Sequence, residues 1–475
     1  MNYTLFLSLL LGYVVVLAVI GFVTARGGSN STFFNANKNA NWLLVSFGMI
    51  GASLSGVTFI SVPGWTATSG LTYLPMVFGF LLGYLVIAFV LLPVYYRYNV
   101  ISIYSFLGQR LGQQSYQTGS LFFLISRVVG ASARLYIVTM VVQLMICDPL
   151  GIPFIITAVV LLALIALYSA TGGIATIVIT DTLQTALMLL AACLTFYFVA
   201  EAVVPAELSI SDYLTSHEDW YFFQSGTSKA GWKQVLGGMF IAIAMTGLDQ
   251  DMMQKNLTVS KLKNAQKNMV LLGVTLIFVN LMFLSLGILL TDFAELQGIT
   301  PTGDKLFALV AQSPALPAVL GVMFFLGLLA AAFSSADSAL ASLTTAFCID
   351  FLSLSPKGST KTRKMVYVGF MAVLLVVMTL IYSLEADSII SSLFTAAGYT
   401  YGPLLGLFVL ALTSKANLRQ WWVLPVCIAA PLLTYGLSVW APTVGYSIGF
   451  ELLLYNGAIT YFGLRLIARR SPVKA

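Results

Sequence analysis

The feature that most constrains this chain is the succession of long apolar runs that fills almost its whole length. A run of about 20 residues forms an α-helix about 30 Å long, which spans the hydrocarbon core of a bilayer. Only 8% of the residues are charged, against roughly 25% in soluble domains. The sequence therefore predicts an all-α integral membrane protein and excludes an ordinary soluble fold.

The apolar runs predict about 13 transmembrane helices. We place them at residues 4–25, 42–68, 72–98, 117–147, 152–169, 174–203, 232–254, 266–291, 313–347, 365–384, 388–413, 420–440 and 446–466. The first run has no basic residue before it and no small-residue cleavage site, so we expect a retained helix and not a signal peptide.

The basic residues predict how these helices are oriented. An odd number of crossings puts the two termini on opposite sides of the membrane. With the N-terminus outside, Lys229, Lys233 and Lys305 lie outside, Arg127 and Arg134 lie within the membrane, and the remainder of the 23 Lys and Arg residues, Lys255 among them, face the cytoplasm. Cytoplasmic loops are enriched in basic residues. We therefore expect an external N-terminus and a cytoplasmic C-terminus, in a bacterial cytoplasmic (inner) membrane.

The second span is rich in residues that interrupt helices. Glycine and hydroxyl residues together make up half of the stretch from Gly48 to Ser61, and they favour a break in the helix. A break at membrane depth leaves backbone carbonyls free for a cation and N–H groups free for an anion. Close packing of small residues against another helix is the alternative, and the composition of the span alone leaves both interpretations open.

The ninth span carries a carboxylate among serines. Ser334, Asp337 and Ser338 stand at spacings of three and four residues, so they share one helix face. Oxygen ligands of this kind suit an alkali or alkaline-earth cation. Serines bonded to their own helix carbonyls would explain the hydroxyls but not the buried carboxylate, for which we expect a functional role.

Two arginines and a second carboxylate are also predicted within the membrane. Asp181 lies inside the sixth span, and Arg127 and Arg134 lie seven residues apart in the fourth. A guanidinium in mid-membrane suits bidentate capture of a substrate carboxylate. An ion pair of Arg134 with Asp181 or Asp337 that only holds the helices together is the alternative.

Several other functions are disfavoured by the sequence. The four cysteines are scattered without metal-ligand spacing. The single histidine, His217, falls in the external loop 204–231, where we expect a solvated residue. We find no nucleophile–base pair, so an enzyme is not expected. The basic residues sit at helix ends, so nucleic acid is not an expected partner.

Taken together, the motifs resemble the sodium:solute symporter family. They are 53–59 in the second span, Tyr168 to Gln184 at the start of the sixth, 249–255 at the end of the seventh and 334–338 in the ninth. The resemblance implies a LeuT-type core of two inverted five-helix repeats. It divides the chain into an extra N-terminal helix and loop (1–41), a first repeat (42–203), an external loop with the second repeat (204–413), and two C-terminal helices with a tail (414–475).

The resemblance also implies two sodium sites. The first takes the carbonyls of Gly51, Leu54 and Ala331 with the hydroxyls of Ser334 and Ser335. The second, as in the bacterial sialic acid carriers of the family, takes Asp181, Ser334, Asp337 and Ser338. Asp337 stands where those carriers have serine, and its extra charge would strengthen cation binding or bind a proton instead.

For the substrate, the resemblance implies Ser53, Ser55, Thr58, Tyr73 and Arg134, with Arg134 facing a carboxylate. Val77 stands where the sialic acid carriers have a glutamine, which argues against sialic acid itself but not against another sugar acid or organic acid. The run 131–135 resembles the family's proline carriers, so an amino acid is an alternative solute, and a neutral sugar is another.

The function implied is sodium-coupled import of a small anionic or zwitterionic solute by alternating access, with one or two sodium ions per cycle; two is our hypothesis. Proton coupling through Asp337 or Asp181 is the main rival, and a channel or a sodium sensor is a more distant one. The lipid bilayer is the expected environment, and no obligate protein partner is implied.

Overall fold

The computed structural model describes residues 3–24, 33–34, 40–54, 56–223, 230–300, 303–354, 358–383 and 389–469. Over these residues the chain is helical apart from one short antiparallel pairing of β1 (Asn417–Leu418) with β2 (Ala468–Arg469). The α-helices are α1 (Tyr3–Thr24), α2 (Trp42–Ser53), α3 (Gly56–Ser69), α4 (Leu74–Val86), α5 (Leu92–Arg97), α6 (Ser105–Leu111), α7 (Gln113–Val142), α8 (Phe154–Gly172), α9 (Ile174–Val203), α10 (Ile210–Ser216), α11 (Gly231–Ala242), α12 (Gln250–Asn256), α13 (Leu262–Leu296), α14 (Leu306–Ala311), α15 (Ala318–Ala346), α16 (Thr360–Ser383), α17 (Ile389–Thr400), α18 (Gly402–Thr413), α19 (Val423–Trp440) and α20 (Leu452–Leu466).

Most of the predicted spans correspond to helices of suitable length. Among the described residues, eight helices are long and apolar enough to cross a membrane, and ten if each of two bent pairs counts as one span. The bent pairs are α2 with α3, at 47°, and α17 with α18, at 43°. The other predicted spans correspond to α8, to α11 with α12, and to α20. The number 13 itself stays a prediction.

The second span is broken, as expected, and the seventh span is also interrupted. Helix α2 ends at Ser53 and α3 begins at Gly56, within the glycine- and serine-rich stretch. In the seventh span, α11 passes into a π-helical turn at Ile243–Gly247 before α12 begins. The hydroxyl of Tyr95 donates to the carbonyl of Gly247 over 2.7 Å, so a carbonyl at the break is satisfied by a side chain. The division into two repeats remains a prediction.

Small residues bring α4 and α11 together. A Cβ atom on Gly79 would meet the backbone of Val235, and one on Gly238 would meet the backbone of Met76. Each helix therefore offers a glycine to the backbone of the other, as in tightly packed membrane helices. Helix α15 is deeply enclosed, because every residue from 327 to 346 is buried.

The side chain of His217, in the loop predicted to be external, is more buried than expected. His217 is only 17% exposed, and its Nε2 lies 3.2 Å from Asp292 Oδ1. The backbone N–H of Asp219 donates to its Nδ1 over 3.1 Å. Solvation of His217 was therefore a wrong expectation, because the loop folds back onto the C-terminal end of α13.

Candidate functional site

A cavity lies beside the break in the second span. Four of the predicted substrate residues line it: Ser53, Thr58, Tyr73 and Arg134. The fifth, Ser55, lies outside the described residues. Residues of α11 and of the π-helical turn complete the wall, so both broken spans border the same space. Val77, where a glutamine was expected for sialic acid, is fully buried and away from the cavity.

Aromatic rings form one wall of this cavity. Tyr73 stacks on Phe394, with ring centroids 6.4 Å apart, and meets Trp65 edge to face at 5.9 Å. Phe450 contacts both Trp65 and Phe394. Trp65 and Phe450 in turn line a second cavity. The four rings therefore lie between the two cavities.

Arg134 presents a guanidinium to the central cavity. It is half-buried on α7, and its Nε is buried without a hydrogen-bond partner among the described residues. No carboxylate in this part of the chain forms an ion pair with it, so the alternative pairing with Asp181 or Asp337 is wrong. A buried guanidinium without a carboxylate partner is suited to bind one from a ligand.

Arg127 has a structural role instead. Its Nη2 forms a buried ion pair with Asp251 Oδ2 in α12. The neighbouring Asp249 caps α12, with Oδ1 accepting from the N–H of Asp251 over 2.8 Å. Both arginines line the cavity, but only Arg134 has no carboxylate partner in the described chain. The sequence predicted where both lie but not the partner of Arg127.

The carboxylate Asp181 pairs with a residue that sequence reasoning misplaced. Lys255 Nζ lies 2.7 Å from Asp181 Oδ2, and each side chain is 1% exposed. Neither Arg127 nor Arg134 is the partner that we expected. Lys255 was assigned to the cytoplasmic surface, but α12 turns it inward. Its place directly after the polar run Asp249 to Gln254 is the signal in the sequence that could have revealed this.

The residues of the predicted second sodium site lie in one buried cluster. The hydroxyl of Ser334 donates to Asp181 Oδ1 over 2.6 Å. Asp337 accepts from the hydroxyl of Tyr168 at Oδ2 over 2.8 Å and from that of Ser338 at Oδ1 over 3.3 Å. Asp337 is fully buried, and its charge interacts with those of Asp181 and Lys255.

The predicted first sodium site lies where α2 and α15 are in contact. Gly51 packs against Thr185 of α9, and Leu54 and Ala331 are buried. The hydroxyl of Ser335 is buried with no partner among the described residues, as a hydroxyl reserved for an ion would be. Ser334 differs, because its hydroxyl is already bonded to Asp181. The donors at both predicted sites are oxygen atoms, which suit sodium better than a transition metal.

Comparison with known proteins identifies the family. The model of the sodium:solute symporter family matches residues 33–419. The sodium/sialic acid symporter of Proteus mirabilis is 23% identical over 437 residues, which are 86% of this chain and 84% of that protein. The human sodium/iodide cotransporter is 23% identical over 417 residues, 82% of this chain and 62% of that protein.

A solved structure supports the fold. The substrate-bound, outward-open structure of a Na⁺-coupled sialic acid symporter has a TM-score of 0.80 at 19% identity, covering 98% of this chain and 99% of that one. This likeness confirms the predicted all-α, LeuT-type fold, and the match over 33–419 is more than half of the chain. The protein is a member of the sodium:solute symporter family.

Proposed function

We propose that this protein imports a small carboxylate-bearing solute, a sugar acid or another organic acid, together with sodium. Its family makes it a sodium-using, multi-pass secondary transporter and not an enzyme. The class of solute is the additional proposal, and one observation supports it. Arg134 faces the central cavity and has no carboxylate partner among the described residues. Known relatives carry solutes as different as sialic acid and iodide, so the family alone does not choose the solute.

The remaining cavity residues suit a hydroxylated body on that carboxylate. Ser53 and Thr58 both line the cavity and offer hydroxyls to it. The ring of Tyr73 offers an apolar face to a sugar ring or carbon chain. A neutral sugar would leave Arg134 desolvated and unpaired, which is unfavourable.

Coupling follows from the arrangement of the two predicted sodium sites. Both draw on α15, and the first also draws on the end of α2, next to Ser53 in the cavity wall. Sodium that holds α2 against α15 preforms the cavity, so sodium and solute raise each other's affinity by the same factor. The solute then leaves on the other side by rocking of the two repeats, with the N-terminus outside and the C-terminus in the cytoplasm.

The experiment is thermal stabilisation of the purified full-length protein by sugar acids, amino acids and neutral sugars, each in sodium and in choline. We expect a carboxylate-bearing solute to raise the melting temperature in sodium only. Arg134→Gln should abolish that rise and leave the effect of sodium alone intact. Arg97→Ala, on the exposed end of α5, is the control and should behave as the parent protein does.

Three outcomes would change the proposal. A neutral sugar that stabilises the Arg134→Gln variant as well as the parent would remove the carboxylate assignment. Uptake into proteoliposomes that persists without sodium and collapses with the proton gradient would replace sodium coupling by proton coupling. A reversal potential that corresponds to one sodium ion per solute molecule would remove the second sodium site.

A further inference from the structure

The buried cluster around Asp181 is not neutral. Two carboxylates, Asp181 and Asp337, and one ammonium group, Lys255, contribute a formal charge of minus one. All three side chains are at most 1% exposed. The other described groups that bond these carboxylates are the hydroxyls of Ser334, Tyr168 and Ser338, which carry no charge. Burying an uncompensated charge is strongly unfavourable, so the cluster calls for one more monovalent cation.

A second observation points to the same conclusion. Gln184 lies one helical turn from Asp181 on α9 and is 1% exposed. Its Nε2 donates to the hydroxyl of Tyr13 over 3.0 Å. The Oε1 atom of Gln184 has no donor among the described residues. A buried acceptor without a donor, beside a negative cluster, is suited to a cation.

Lys255 supplies one permanent positive charge to this cluster. It pairs with Asp181 directly, and its charge also attracts Asp337. It is a tethered cation that cannot leave the protein, unlike sodium. It neutralises one carboxylate permanently, and the other is left for an exchangeable ion.

We infer that Lys255 sets the number of sodium ions in this cluster at one, by balancing one of its two carboxylates, while Asp337 supplies the charge that the ion neutralises. This inference rests on the proposed sodium coupling and specifies one of its sites. Removal of the Asp337 carboxylate should then lower the number of bound cations by one, and removal of the Lys255 ammonium group should raise it by one. Removal of both groups should restore the number in the parent protein.

Substitutions can test the contributions of Asp337 and Lys255 separately. Asp337→Ser leaves Asp181 balanced by Lys255, so the cluster becomes neutral and should lose its sodium. Lys255→Met leaves two carboxylates, so the cluster should bind one further cation. The double variant Lys255→Met/Asp337→Ser carries Asp181 alone and has the formal charge of the parent protein. Lys255→Arg keeps the charge and is the matched control.

The test is equilibrium binding of radioactive sodium to the purified full-length protein, with choline replacing sodium as ionic background and no solute present. Asp337→Ser should bind one sodium fewer than the parent, or bind it with a half-saturating concentration raised at least about tenfold. The double variant should recover the parent count, and Lys255→Arg should match the parent. If Lys255→Met does not fold, Asp337→Ser and the double variant still decide the question.

An Asp337→Ser variant with an unchanged sodium count and affinity would overturn the inference. So would a folded, monodisperse double variant that binds no more sodium than Asp337→Ser, because Lys255 would then be a structural ion pair only. These results differ from failure of the proposed function, in which the parent protein itself would bind no sodium in choline. They also leave the solute assignment untouched, because Arg134 and the central cavity are not altered.

Discussion

The hydroxyl of Tyr401 donates to Asp249 Oδ2 over 2.5 Å and so joins the start of α18 to the break in the seventh span. Asp249 uses its other oxygen to cap α12. One carboxylate thus holds the helix that carries both Asp251, the partner of Arg127, and Lys255, the partner of Asp181. Asp249 therefore supports both the central cavity and the charged cluster.

Tyr401→Phe should weaken this support. It removes a buried hydrogen bond to an acidic side chain, for which we expect a loss of roughly 1 kcal/mol of stability. The melting temperature of the purified protein should fall. Tyr197→Phe, at a tyrosine that is 58% exposed, is the control and should leave it unchanged. Equal melting temperatures for the two variants would show that the Tyr401 hydroxyl contributes nothing.

The two membrane arginines should respond differently to removal. Arg127→Met leaves Asp251 buried without its partner, and breaking a buried pair in this way costs roughly 3–5 kcal/mol. Arg134→Met removes a charge that has no carboxylate partner in the described chain, so the protein without solute should keep or gain stability. Melting temperatures of the two variants in sodium, without solute, make the comparison. If Arg134→Met proves as unstable as Arg127→Met, Arg134 is a structural residue.

Hydropathy was sufficient to predict the helices. The sixth span, predicted at 174–203, coincides with α9, because a transmembrane helix must satisfy its backbone internally and so must be long and apolar. The break after Ser53 lies in the glycine- and serine-rich stretch, but composition alone had left close helix packing as an alternative. The number of membrane spans is harder to predict than the helices themselves, because α20, with 15 residues, is shorter than a typical span.

Hydropathy could not predict which charged side chains form ion pairs with each other. Lys255 lies at the end of the predicted seventh span, and the positive-inside rule predicts that a basic residue there is cytoplasmic. Whether it points to water or to the interior depends on the break at Gly247 to Asp249, which turns α12. Its partner Asp181 lies on a helix distant in sequence. The cavity residues were found through the family resemblance, because no periodicity connects Ser53, Tyr73 and Arg134.

The external loop should respond to pH through Asp219. Burial raises the pKa of the Asp219 carboxyl, and the nearby charges of Glu218 and Asp292 act in the same direction, although His217 opposes them. A carboxyl whose pKa is raised on folding stabilises the fold below its unfolded pKa and loses that contribution as pH rises through the folded value. The loop should therefore loosen slightly as pH rises above the ordinary range of a carboxyl.

Asp219→Asn should remove this loss, so as pH rises from about 4, the ordinary pKa of a carboxyl, the melting temperature of the variant should fall less than that of the parent. Asp212→Asn, on the exposed face of α10, is the control for a charge change in the same loop. The effect is small, because Asp219 is partly solvated. A pH response of Asp219→Asn that is the same as that of Asp212→Asn would contradict the prediction.

Sodium binding should depend on the absence of a side chain at Gly51. A Cβ atom there would overlap Thr185 Oγ1, and Thr185 cannot easily turn away because its hydroxyl donates to the carbonyl of Asp181 over 2.7 Å. Gly51→Ala should therefore push α2 away from α9, at a cost of roughly 1–3 kcal/mol. It should also shift the carbonyls of Gly51 and Leu54, which we assign to sodium.

The measurement is the rise in melting temperature on replacing choline by sodium. Gly51→Ala should reduce that rise strongly, whereas Gly12→Ala should preserve it, because a Cβ atom on Gly12 meets nothing within 4 Å. Adding Thr185→Ala to Gly51→Ala removes the nearest colliding atom and should restore part of the response. If Gly51→Ala responds to sodium as Gly12→Ala does, the end of α2 does not contribute to the sodium site, and the carbonyls of Gly51 and Leu54 lose their assigned role.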